Sequence, residues 1–176
     1  MNALIKSICR PLSLLALPGA LGAATQRELR IEIELPELEV AEYHRPYVAV
    51  WIENERREWV DNVAVWYDTE LRNREGETWL KDLRQWWRKS GRDLSLPVDG
   101  VTGPTRPPGR HELRFDSESA SFLNLSPGTY QLVVEVAREV GGRELLRLPL
   151  PLNATEAVNI SESGSHEIAT VTLSLN

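Results

Sequence analysis

Sulfur is almost missing from this sequence: one cysteine, Cys9, and one methionine stand in 176 residues. A single thiol excludes an intrachain disulfide and any cysteine-built zinc or iron–sulfur cluster. Positive charge is in the minority, with 20 Lys and Arg against 26 Asp and Glu and a net charge of −6. That balance argues against nucleic acid as a partner and against docking on anionic lipid, since both favour a basic face. No apolar run reaches the roughly 20 residues that a bilayer span requires. The Gly-x-Ser-x-Gly elbow, a phosphate-cradling loop and His-Glu-x-x-His are also missing, so no nucleophile–base pair is visible. The sequence assigns no catalytic residue. Histidine is scarce too: His44, His111 and His166 lie far apart. They read as ordinary solvated side chains, with a composite His-plus-carboxylate metal site as the other reading.

What is present begins with an export signal. Lys6 and Arg10 precede an apolar stretch from Leu12 to Leu21, and small residues follow at Ala20, Gly22, Ala23 and Ala24. This pattern predicts a signal peptide over residues 1–24, cleaved after Ala23 or Ala24, and a single domain over 25–176. Cleavage would remove two cations and no acids, lowering the charge from −6 to −8, and would remove Cys9 with them. The expected product is a thiol-free periplasmic protein with no membrane insertion of its own. Asn153-Ala154-Thr155 and Asn159-Ile160-Ser161 fit the glycosylation pattern but read as loop residues in a bacterial-looking export context.

Beyond the leader the dominant period is two. Leu29, Ile31, Ile33 and Leu35 alternate with Arg30, Glu32 and Glu34, as in a strand with one wet face. Pro36 then shifts the phase, which fits a bulge or a strand end, and Glu37, Glu39 and Glu42 read as a wet face. Tyr47 to Ile52 and Trp59 to Tyr67 predict further strands, with a hairpin turn at Asn54 to Glu58. Alternation returns at His111, Leu113 and Phe115, then at Tyr130, Leu132, Val134 and Val136 after the Ser126-Pro127-Gly128 turn. Gly141-Gly142 predicts a hairpin returning through Leu145, Leu146 and Leu148. After a polar loop around Ser161 to Gly164, a last strand carries Val171, Leu173 and Leu175.

One segment has helical spacing instead: Trp79, Leu80, Leu83, Trp86 and Trp87 share a face, and Ser90-Gly91 ends the helix. Seven or eight short strands and one amphipathic helix predict an all-β, immunoglobulin-like antiparallel sandwich with the helix inserted at one end. The six tryptophans read mainly as core. Trp86 and Trp87 are the two to watch as a stacking platform, because a loop rich in proline and glycine follows them. It runs from Leu94 to Arg110, includes Pro97, Pro104, Pro107, Pro108, Gly100, Gly103 and Gly109, and cannot be a central strand. It presents Asp99, Thr102, Thr105 and Arg106. Read without ligand, the same stretch is a tight turn feeding a strand.

From Tyr47 to Gly142 the sequence resembles an exported bacterial family catalogued as a domain of unknown function, DUF2271. The resemblance is carried by Tyr47-Val48-Ala49-Val50-Trp51-Ile52-Glu53, by Trp79 to Trp87, by the loop from Asp99 to Gly109, by Pro127-Gly128-Thr129-Tyr130, and by Ala137 to Arg143. It implies a periplasmic partner of PepSY-type membrane proteins and of flavin transferases. Within the loop, Asp99-Gly100-Val101-Thr102-Gly103-Pro104-Thr105 is similar to the acceptor motif Asp-Gly-x-Ser/Thr-Gly-Ala-Thr, with Pro104 in place of the small Ala. The motif implies that Thr105 receives FMN through a phosphoester. Gly103 belongs to its frame, Arg106 is placed for the phosphate, and Trp86 or Trp87 for the isoalloxazine ring. Two expectations result: an electron carrier with covalent FMN, or a cofactor-free periplasmic binding or assembly module.

Overall fold

The computed structural model describes residues 27–176, so the expected signal peptide and Cys9 lie outside the described residues. Nine strands form: β1 (Glu28–Leu35), β2 (Tyr47–Asn54), β3 (Trp59–Tyr67), β4 (Thr102–Pro104), β5 (Gly109–Asp116), β6 (Tyr130–Ala137), β7 (Arg143–Leu150), β8 (Val158–Ser163) and β9 (Thr170–Leu175). They make two sheets, one ordered β5-β1-β9-β8 and the other β4-β3-β2-β6-β7. All pairings are antiparallel except β3 with β4, which is parallel. The protein is therefore mostly β, in two layers.

The alternation in β1 is used as written. Leu29, Ile31 and Ile33 turn inward with Val171 and Leu173 of β9, and meet Val48, Val50, Ile52, Leu132, Val134 and Val136 of the other sheet. The remaining parity of β2, β3 and β6 is buried too. Ala49, Trp51, Val65, Tyr67 and Val133 form a second core with Leu80, Leu83, Trp86 and Leu96. A sheet covered on both faces has no wet parity, which is why these strands read as unbroken apolar runs.

The covering segment corrects two expectations. It lies across the outer face of the five-stranded sheet rather than at one end of the sandwich, and it is not one helix. A 3₁₀ segment over Arg72–Asp82, broken by left-handed backbone at Asn73 and Arg74 (φ 55° and 59°), stops at Leu83, whose φ of −74° and ψ of 69° leave the helical region. A separate six-residue helix, α1 (Arg84–Lys89), follows. The apolar positions Leu80, Leu83 and Trp86 still point the same way, inward, whereas Trp79 is 40% exposed.

Two carboxylates buried in this sheet fasten α1. Glu135 of β6 accepts the backbone N–H groups of Gln85 at 3.0 Å and Trp86 at 2.9 Å, and Arg143 at 2.8 Å. Glu53 of β2 accepts Trp51 Nε1 at 2.9 Å and pairs with Lys89 at 3.2 Å and Arg147 at 3.3 Å. Between them Trp86 Nε1 donates to Asn62 Oδ1 at 2.8 Å. Trp86 is thus the central plug of the second core. Replacing it, Trp86→Ala, is expected to cost about 3–5 kcal/mol of unfolding free energy, read as a lower midpoint in denaturant titration.

Candidate functional site

At one end of the five-stranded sheet, five segments converge. The chain entering β2, the chain leaving β3, the 3₁₀ run, the end of β4 and the end of β6 enclose a groove of about 430 Å³. Its walls hold Tyr43, His44, Arg45 and Tyr47, then Asp68, Thr69 and Glu70, then Trp79 and Asp82, then Pro104 and Thr105, and finally Ala137, Arg138 and Glu139. The antiparallel run of β2 against β3 and β6, with β4 parallel to β3, is what brings these ends to one place. Gly76 fixes the approach of the 3₁₀ run, since a Cβ there would sit 1.9 Å from the Asp68 carbonyl oxygen. The volume suits a ligand of small-molecule size.

Aromatic surface and mixed charge line this groove. Burial raises the pKa of the Tyr43 hydroxyl, against the pull of nearby Arg138, and burial likewise raises that of Tyr47. Both phenols therefore stay protonated donors through neutral pH. Arg138 is held from behind: its Nε and Nη2 donate to the Glu167 carboxylate at 2.9 and 3.0 Å, and Gly142 N–H donates to the same group at 2.7 Å. The two side chains are only 6% and 4% exposed, and Arg138 Nη1 is buried with no hydrogen-bond partner among the described residues. Glu167 is placed in turn by Glu144, which accepts the backbone N–H groups of Ser165, His166, Glu167 and Ile168.

The acceptor-like loop brings Pro104 and Thr105 to the groove wall. Thr105 is half-buried on the groove wall, and its N–H donates to Tyr67 O at 3.1 Å. Val65 N–H donates to Val101 O at 2.8 Å, so residues 101, 103 and 105 turn their ladder groups toward β3. Pro104 has the other parity, and its lacking donor falls on the outer side of an edge strand, where no ladder bond is lost. Thr102 has a local role: its Oγ1 accepts Val98 N–H at 2.9 Å and closes the turn that carries Asp99 and Gly100, the latter at φ 73°. A Cβ on Gly103 would meet Trp66 Cδ1 at 3.3 Å, and the Arg106 guanidinium lies 5.4 Å from the same ring's centroid.

Trp86 and Trp87 are placed elsewhere. Trp86 is fully buried, Trp87 packs beside it with ring centroids 6.3 Å apart, and neither lines the groove. The tryptophan on the groove wall is Trp79, which the helical spacing assigned to the apolar face. Arg45 and Arg138 carried no signal of spacing in the sequence. Tyr43-His44-Arg45, an aromatic–cationic cluster just ahead of a strand, is the local pattern that went unread. The histidines stay apart: His44 meets Glu42 at 3.0 Å, His111 meets Pro107 O at 2.7 Å, and His166 meets Ser165 Oγ at 2.8 Å.

A family model described as "Predicted periplasmic protein (DUF2271)" matches residues 28–170, from the first strand into the last. The chain belongs to this family. Neither a curated protein nor a solved structure matches it. The DUF2271 match covers every segment that walls the groove, and among the described residues no helix is long and apolar enough to cross a membrane.

The support behind Arg138 has a pH signature. Burial acts to raise the pKa of Glu144, but the N–H groups of Ile168, His166 and Ser165 and the Ser165 hydroxyl outweigh it and hold the pKa at about 2, below the ordinary 4.5. A lowered folded-state pKa adds stability that is complete above the unfolded value and is lost as pH falls toward 2. Glu144→Gln is expected to cost about 1–2 kcal/mol at pH 7 after allowance for solvent screening. The gap between variant and parent in urea titrations should close as pH is lowered through that window.

Proposed function

We propose that this protein is exported to the periplasm by cleavage of its leader, carries FMN in phosphoester linkage on Thr105, and passes electrons to or from a PepSY-type membrane protein. The observation that supports this reading is the position of Thr105, on the wall of a groove of about 430 Å³ beside exposed aromatic surface. The residues present fit such a group. The groove has room for a planar ring system and donors from Arg45 and the tyrosines. Pro104, where the acceptor motif has Ala, loses no ladder bond on its outer edge.

In the loading step a flavin transferase supplies an activated flavin dinucleotide. Thr105 Oγ1 attacks its flavin-side phosphorus, the phosphoanhydride bond to the adenylate breaks, and the hydroxyl proton passes to a base of the transferase. Arg106, exposed and one residue from the anchor, provides a cation for the new phosphodiester's charge. Once bound, FMN supplies one- and two-electron transfer; the chain supplies the tether, the orientation and the local field. A tether prevents loss of the cofactor outside the cytoplasm. We read the two-layer architecture as an immunoglobulin-like scaffold that presents the groove at one end.

Intact mass of the protein produced together with a flavin transferase tests the reading. The wild type should carry one FMN increment and be yellow, and Thr105→Val should lose both while keeping its denaturation midpoint. Colourless wild-type protein of unmodified mass would leave the cofactor-free binding or assembly module as the function.

A further inference from the structure

We infer that Trp79, and neither Trp86 nor Trp87, is the stacking partner of the ligand's planar ring; this rests on the flavin reading above. Three observations lead to Trp79. It lines the same groove as Thr105. It is 40% exposed, although a free indole gains by leaving water, so its uncovered surface is open to a ring that would desolvate it. It also stands on a segment that cannot drift, because Leu80 beside it is fully buried and Gly76, three residues earlier, fits only without a side chain.

Trp86 stands on a segment just as firmly held but fails the first two points. Its indole is inside the second core with its N–H already given to Asn62, and a ring could reach it only by displacing α1. Lys81, whose Nζ is 5.6 Å from the Trp79 ring centroid, sits outside the groove lining. It attracts the electron-rich indole face electrostatically. Tyr47, packed edge-on to Tyr67 at 6.3 Å, completes the aromatic wall. Tryptophan in contact with an excited isoalloxazine quenches its emission by electron donation, so stacking has an optical readout independent of turnover.

The test uses full-length protein loaded by its transferase, with mass and flavin emission measured on the same samples. Loaded wild type should be several-fold dimmer when folded than after unfolding in guanidinium. Trp79→Leu, of equal mass increment, should be several-fold brighter when folded than folded wild type, Trp79→Phe intermediate, and Trp87→Leu as dim as wild type. A loaded Trp79→Leu or Trp79→Phe protein as dim as wild type overturns the assignment while leaving the tether on Thr105 intact. Absence of the mass increment from the wild type itself removes both.

Discussion

Two carboxylates without water hold the architecture to one arrangement. Glu53 and Glu135 point from the five-stranded sheet into its outer core, each fully buried, and each is answered both by the segment laid over it and by an arginine of β7. Glu135 takes the first N–H groups of α1, and Glu53 takes Lys89 near its end. A six-residue helix has no stability of its own, because nucleation costs more than so few bonds return. Here the sheet provides the nucleus. Because lifting the helix away would take hydrogen-bond and ion-pair partners from two buried carboxylates, the helix, the sheet and the register between them are fixed together. The groove inherits that rigidity, since Trp79 and Asp82 lie just upstream of the pinned helix.

How much of the fold was legible depended on where water sits. In β1 and β9 one face is wet, and alternation alone marked the strands. In β2, β3 and β6 both faces are dry, so the apolar runs marked the strands without revealing what covered the second face. β8 escaped notice because its side chains are mostly exposed and polar, and only its pairing with β9 makes it a strand. The helical spacing of residues 79–87 was real for Leu80, Leu83 and Trp86, but spacing does not register the break at Leu83, which follows from docking onto the sheet. β4 was read as loop. It is three residues long, and what makes it a strand is a parallel partner, β3, more than thirty residues earlier.

The candidate site was legible at one residue and silent around it. The acceptor-like run singled out Thr105, because glycines and hydroxyls at fixed offsets leave a mark in sequence. The rest of the groove is assembled from five chain segments, and convergence of that kind has no local signature. Nearness in sequence suggested Trp86 and Trp87, yet burial removes the first from consideration and the sheet's geometry places Trp79 on the wall. The chain of support behind Arg138, through Glu167 to Glu144, likewise spans three elements and shows only once they are folded.

Pro104 has a consequence beyond the site. β4 is the outermost strand of its sheet, and such a border is a template on which another chain can add itself, copy after copy. At the last residue of this border an incoming strand meets a pyrrolidine ring where it needs a hydrogen to accept. The side of the sheet nearest Thr105 is therefore a poor template for a further strand.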